Sequence, residues 1–127
     1  MPADPRRPRR LEVEDIGEST IVRFIDRKIL DYQKIRDIEE QLLSLVEVHG
    51  KRKVLLSFSN VEYLCSAAIN SFYRLKRELA KKNGRLVLSS IDPQIYEIME
   101  ITKMDKDFHI VKEDLEGLGA LDKPKKP

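Results

Sequence analysis

Nucleophilic chemistry in this chain would have to begin at Cys65-Ser66, the one place where a thiol and a hydroxyl stand side by side before an apolar helical pattern. Either group needs a base within hydrogen-bond reach to attack a substrate. The two histidines, His49 and His109, lie far away in sequence on different predicted elements, and no spacing ties them to that dipeptide. Neither has a neighbouring Cys or the acidic spacing of a metal-ligand set, so no metal site is expected. The glycines are scattered, and no Walker or dinucleotide fingerprint can be written over a strand-to-helix junction. The expectation is a protein that is not an enzyme and carries no cofactor. Cys65, beside a helix start, is expected to be a small packing residue of ordinary reactivity. Met99 and Met104 are expected in core and helix-end packing.

The totals narrow the class further. At 127 residues the chain fits one domain, and a hydrophobic fraction of 41% beside a charged fraction of 36% describes a globular fold with a heavily charged surface. The net charge of +2 is uneven. Residues 1–10 carry +3 and residues 122–127 carry +2, leaving −3 on the segment between them. Both ends are rich in Pro and basic residues and poor in apolar ones, so a disordered basic arm over 1–10 and a disordered basic tail over 122–127 are expected. A mildly acidic folded part without Trp argues against direct nucleic-acid binding. One cysteine excludes an internal disulfide and points to a reducing compartment. No apolar run reaches the ~20 residues of a membrane helix, and the N-terminus lacks the apolar core of a signal peptide. The location expected is cytoplasmic, without membrane insertion.

The elements that must position Cys65-Ser66 follow from periodicity. Leu11 to Ile16 and Ile21 to Ile25 suggest two strands joined by a turn at Gly17. Ile35, Ile38, Leu42, Leu45 and Val46 share one helical face, with Asp31 as N-cap. Val54-Leu-Leu-Ser-Phe58 is apolar enough to be buried on both faces at a sheet centre. Ala68, Phe72, Leu75 and Leu79 form a second helical stripe that Asn83-Gly84 stops. A strand at Arg85–Ser89 precedes Asp92-Pro93, a strong helix start, with Ile95, Ile98, Met99 and Thr102 continuing inward. A strand at Phe108–Val111 and a Gly-weakened helix over 112–121 complete the order β-β-α-β-α-β-α-β-α. The fold class is therefore α/β: one domain over 11–121, a mixed sheet of about five strands linked by right-handed crossovers and covered by about four helices.

The stretch from Val54 to Ser71, Val-Leu-Leu-Ser-Phe-Ser-Asn-Val-Glu-Tyr-Leu-Cys-Ser-Ala-Ala-Ile-Asn-Ser, resembles the strand, loop and helix start of STAS domains, especially those of bacterial anti-sigma-factor antagonists. Arg27–Asp31 and Ile101–Ile110 extend the resemblance. It implies a regulatory protein that binds an anti-sigma factor, often a serine kinase, and thereby influences transcription, with phosphorylation of one loop hydroxyl ending the interaction. The family's loop usually runs Asp, Ser, Ser or Thr, Gly, the hydroxyl before Gly accepting phosphate. The corresponding residues here are Cys65, Ser66, Ala67 and Ala68, so the usual acceptor is Ala67 and the remaining hydroxyl is Ser66. Ser66 has two readings, as N-cap of the second long helix and as phosphorylation candidate. Asp31 matches the family's other recurrent acid. The contact surface that the resemblance implies comprises Asp31, Ser59, Asn60, Cys65, Ser66, Ala67, Asn70 and Arg74. Homo- or hetero-association with other STAS domains, as a structural subunit of a larger signalling or transport assembly without a phosphate switch, is the alternative.

Overall fold

A computed structural model describes residues 8–122. Two strands open the fold, β1 (Leu11–Ile16) and β2 (Ser19–Phe24), paired antiparallel. A two-residue strand β3 (Lys28–Ile29) leads into helix α1 (Tyr32–Glu47). Strand β4 (Lys53–Ser57), the short β5 (Tyr63–Leu64), helix α2 (Ser66–Lys81) and strand β6 (Arg85–Ser89) follow. The chain then forms helix α3 (Pro93–Ile101), a 3-10 turn at Met104–Lys106, strand β7 (His109–Val111) and helix α4 (Asp114–Asp122). The main sheet has five strands in the order β1-β2-β4-β6-β7, and every pair beyond the first is parallel. This is the mixed sheet that the alternating pattern predicts, with β4 at its centre.

Strand alternation divides the apolar residues between two faces. Val22, Phe24, Val54, Leu56 and Leu88 join Ile38, Leu42, Phe72, Leu75 and Met99 of the helices in one large core. On the other face Ile21, Leu55 and Val87 meet Leu121 of α4. The α4 helix sits close to the sheet because Gly117 faces Leu55: a Cβ there would come within 2.5 Å of the leucine Cδ1. Three rings close the core at the C-terminal ends of the parallel strands, where Phe24, Phe58 and Phe72 stand with centroids 5.0, 5.8 and 5.4 Å apart. They form the floor under the β4–α2 junction.

Helix starts follow the capping chemistry at two of the three predicted places. Asp31 accepts from the Lys34 amide at 2.9 Å, and Asp92 accepts from Gln94 at 2.9 Å with Pro93 in the first helical position. Asn83 adopts φ +61° after α2, the left-handed conformation expected of a stop signal. Four details differ from the sequence expectation. Val13 and Ile16 are exposed, because β1 is an edge strand and only Leu11, opposite Phe24, enters the core. Ile98 and Thr102 also face outward, since the nine residues of α3 touch the core through Ile95 and Met99. Two short strands, β3 and β5, pair as a separate parallel sheet that periodicity did not reveal.

The fourth difference is at the N-terminus, where residues 8–10 of the expected disordered arm are docked on α1. The Gln41 side chain bonds both the Pro8 carbonyl and the Arg10 amide, each at 2.9 Å. The Arg10 guanidinium lies between Asp26 (3.2 Å) and Asp37 (3.4 Å), the latter 1% exposed. A buried carboxylate requires such a partner, so the charge fixes this end of the chain. Residues 1–7 and 123–127, the remainder of the predicted arm and tail, lie outside the described residues. Among the described residues no helix is long and apolar enough to cross a membrane.

Candidate functional site

The predicted contact residues converge at one end of the sheet because β3 and β5 tie two loops together. Lys28 pairs with Tyr63 and Ile29 with Leu64, and the Cys65 amide donates to the Ile29 carbonyl at 3.2 Å. The Cys65 sulfur faces the Leu30 carbonyl at 3.9 Å. Asp31, one residue beyond, is thereby held beside the start of α2. Asn60 secures the loop from below, donating to the carbonyls of Phe24 (3.2 Å) and Ile25 (2.9 Å). Asn60 thus has a definite structural role in addition to its exposure.

Ser66 is not the N-cap. That position belongs to Cys65, with extended φ −91° and ψ 161°, and its side chain makes no capping bond. The reason is register: α2 begins one residue earlier than the cap reading required, which places Ser66 in the first helical turn. A thiol is a poor substitute for the oxygen that normally satisfies the first amides. The N-terminus of α2 is therefore left without a side-chain cap, with Ser66 and Ala67 exposed at its rim. A helix start of this kind presents unpaired amides and partial positive charge to an approaching acceptor. Ala68, where the family has Gly, is buried against the core.

Asn70 is exposed on the next turn. Arg74, the last predicted contact, is occupied by Glu39 of α1 at 2.8 Å. It acts as a bridge between the two helices at the margin of the face. Ser59 is exposed, and its hydroxyl lies 3.3 Å from that of the buried Ser57.

Sequence reasoning missed the apolar part of this surface. Leu30, Tyr32 and Tyr63 are 53%, 71% and 50% exposed, and they surround Asp31 and the start of α2 through the β3–β5 pairing. Lys28 lies over the Tyr63 ring at 5.4 Å and Arg36 over Tyr32 at 5.8 Å. Arg27 and Glu62 form an ion pair across the two loops. The available signal was phase: Tyr63 alternates with Leu64, which packs on the core, and so must point away from it.

His49 and His109 stand on separate elements, and among the described residues no group of three His, Cys, Asp or Glu is placed to hold a metal ion. Behind the face, Tyr73 donates to Asp107 at 2.6 Å, joining α2 to the turn before β7. Burial, reinforced by that carboxylate, pushes the Tyr73 phenol up to about 12.

The fold is an α/β domain built on a mixed sheet, and comparison with known proteins assigns its family. The model of the STAS domain family matches residues 10–116, and the chain belongs to that family. Among curated proteins it is 26% identical over 74 residues to BtrV of Bordetella bronchiseptica, which carries the designation anti-sigma factor antagonist. The match covers 58% of this chain and 63% of BtrV, less than two thirds of that protein. A solved STAS-domain anti-sigma-factor antagonist of Planctomyces limnophilus superposes with TM-score 0.79 at 22% identity, over 89% of this chain and 98% of the other. The phosphorylated form of Bacillus SpoIIAA superposes with TM-score 0.68 at 14% identity, over 87% and 98%. At these identities the two structures establish the fold alone.

Proposed function

We propose that this protein is a cytoplasmic, non-enzymatic antagonist that binds an anti-sigma factor of the serine-kinase type and so influences transcription. The observation that supports the reading is the joint exposure of Leu30, Asp31, Tyr32 and Tyr63 beside the uncapped start of α2. Aromatic residues around a central acid on a rigid support are what a protein interface concentrates. Ser66 stands at the rim, where an added phosphate would carry about −1.5 to −2 charges into the contact.

In this reading Asp31 keeps its cap through Oδ1, with Oδ2 3.9 Å from the Lys34 ammonium at the rim of the contact, and Ser59, Ser66, Ala67 and Asn70 complete the surface. Ala67 removes the usual acceptor, so regulation passes to Ser66 or is absent. The same alanine favours the second reading, a STAS subunit that associates with other STAS domains without a phosphate switch. Affinity capture from the source organism followed by mass spectrometry separates them. Recovery of a serine-kinase anti-sigma factor, with phosphate on Ser66, supports the antagonist. Recovery of STAS proteins alone, with Ser66 unmodified, overturns it in favour of the assembly subunit.

A further inference from the structure

A row of alternating charges leads from the N-terminal segment to Asp31. The Arg10 guanidinium stands 3.2 Å from Asp26 Oδ1 and 3.4 Å from Asp37 Oδ2. The Lys34 ammonium lies 3.8 Å from the same Asp26 oxygen and 3.9 Å from Asp31 Oδ2. The order is therefore Arg10, Asp26, Lys34, Asp31, cation and anion in turn, ending at the acid of the candidate contact surface. Arg10 and Asp26 are mostly buried, so water screens their pair less than it screens an exposed one. Asp37 is held from two sides, since Gln33 donates to its Oδ1 at 3.0 Å and Arg10 to its Oδ2. The first turn of α1 thus carries both Gln33 and Lys34 into this cluster.

The backbone takes the same route. The Arg10 carbonyl accepts from the Ile25 amide at 3.0 Å, so main chain and side chain of Arg10 both grip residues 25–27, the connection between β2 and β3. Asn60 grips it from the other side through the Ile25 carbonyl. Beyond the connection, the Arg27 carbonyl accepts from the amides of Glu62 (2.8 Å) and Tyr63 (3.1 Å), and the Ile29 carbonyl from Cys65. These bonds tie Tyr63 and the start of α2 to Leu30 and Asp31. Without Arg10, Lys34 would be the one cation within 4 Å of Asp26 among the described residues. It would then serve two acids, and the less exposed Asp26 would draw it from Asp31. Asp37 would lose the guanidinium that offsets its burial.

We infer that Arg10 is a positioning residue of the contact surface: by neutralising Asp26 it leaves Lys34 to Asp31, and it anchors the connection from which β3 and Asp31 are hung. Whatever lifts the N-terminal segment from α1 therefore loosens a surface that this segment does not form. The effect on partner affinity rests on the function proposed above. The positioning does not, and it is measurable in the free protein.

The test is residue-resolved amide hydrogen exchange by NMR on the full chain carrying Arg10→Gln, Arg10→Lys or, as control, Arg9→Gln, whose wild-type side chain bonds only the Leu11 carbonyl among the described residues. Arg10→Gln should speed exchange about tenfold at the Glu62, Tyr63 and Cys65 amides, which report the tie between β3 and β5. Arg10→Lys keeps a cation between the two acids and should return these rates to within about threefold of the wild type. Arg9→Gln should leave them unchanged. A change in Arg10→Gln confined to the Leu55 and Leu56 amides of the central strand would show a contribution to global stability alone and overturn the inference. Equal acceleration in Arg9→Gln would overturn it too. Should Arg10→Gln fail to fold, the double variant Arg10→Gln, Asp37→Asn removes the buried charge as well and decides by the same amides. Faster exchange there sustains the inference even if no anti-sigma factor binds.

Discussion

The two ends of the sheet are both polar, yet they handle charge in opposite ways. At the N-terminal ends of β2 and β4, the turn at Gly17 and the loop His49–Lys53 border an open hollow of about 510 Å³. Its lysines are already answered: Lys51 by Asp15 at 2.9 Å and Lys53 by Glu18 at 3.3 Å. Arg52 is turned onto the carbonyls of Val46 and Lys51. The bond from Lys51, with another from Thr20, holds Asp15 below its ordinary value. At the other end the helix start is uncapped and apolar side chains stand in water. The hollow is self-compensated, and the flatter surface has unmet demand. The function proposed above puts recognition where contacts are incomplete and not at the hollow.

Substitutions at the two ends test that contrast. The largest effect belongs to the floor beneath the recognition end. Phe72→Ala removes one of three mutually packed rings and should cost about 3–5 kcal/mol in chemical denaturation. A loss near that of a surface residue would mean the floor is not a packed unit. A smaller effect of about 1.4 kcal/mol, at least tenfold in affinity, is expected for partner binding by Ser66→Asp. Because Ser66 is not the cap, Ser66→Ala should leave the denaturation midpoint close to that of the wild type.

The vacant cap makes a prediction of the opposite sign. Cys65→Ser supplies the oxygen that α2 lacks and should raise stability by about 1 kcal/mol. A decrease would show that the sulfur packs better than an oxygen caps. Asp114 gives a pH dependence. Burial alone would raise its pKa, but the bonds from Ser57, Ser89 and Ser90 and the Arg23 charge outweigh it and hold the carboxyl below its ordinary 3.8. The folded pKa lies below the unfolded one, so this contribution is complete above the ordinary value and is lost as pH falls through the folded one. Urea unfolding from about pH 6 to about pH 2.5 should show a flatter acid limb in Asp114→Asn than in the wild type. The smallest effect is at the self-compensated end. Lys53→Ala breaks only the pair with an exposed Glu18, and the unfolding midpoint should not move measurably.

Much of the fold was legible because its signals are local and repeated. The central strand announced itself through Val54–Phe58, and the helices through Ile35 to Val46 and Ala68 to Leu79. The caps at Asp31 and Asp92 depend on residue type at one position and were equally readable. The cap of α2 was missed because Ser66 is the better capping residue, whereas the chain places Cys65 there. That choice is made by the Cys65 amide bonding to Ile29, a contact across 36 residues that no local pattern encodes. The β3–β5 pair and the exposure of Leu30, Tyr32 and Tyr63 have the same origin. The docking of Arg10 was hidden by its neighbours, since a Pro-Arg composition says nothing about a buried Asp37 on α1. The pairing of Arg74 with Glu39 joins two helices and had no sequence signature.

In the function proposed above, recognition occurs at the Asp31–Tyr63–Ser66 end and not at the hollow near Lys53. Its most direct test is calorimetric titration of the folded protein with purified serine-kinase anti-sigma factors of the source organism, one at a time. One of them should bind the wild type and Lys53→Ala equally, while Tyr63→Ala and Ser66→Asp each lose at least about tenfold in affinity. Binding that is unchanged in Tyr63→Ala and Ser66→Asp but weakened by Lys53→Ala would contradict the claim, as would the absence of binding to every such factor.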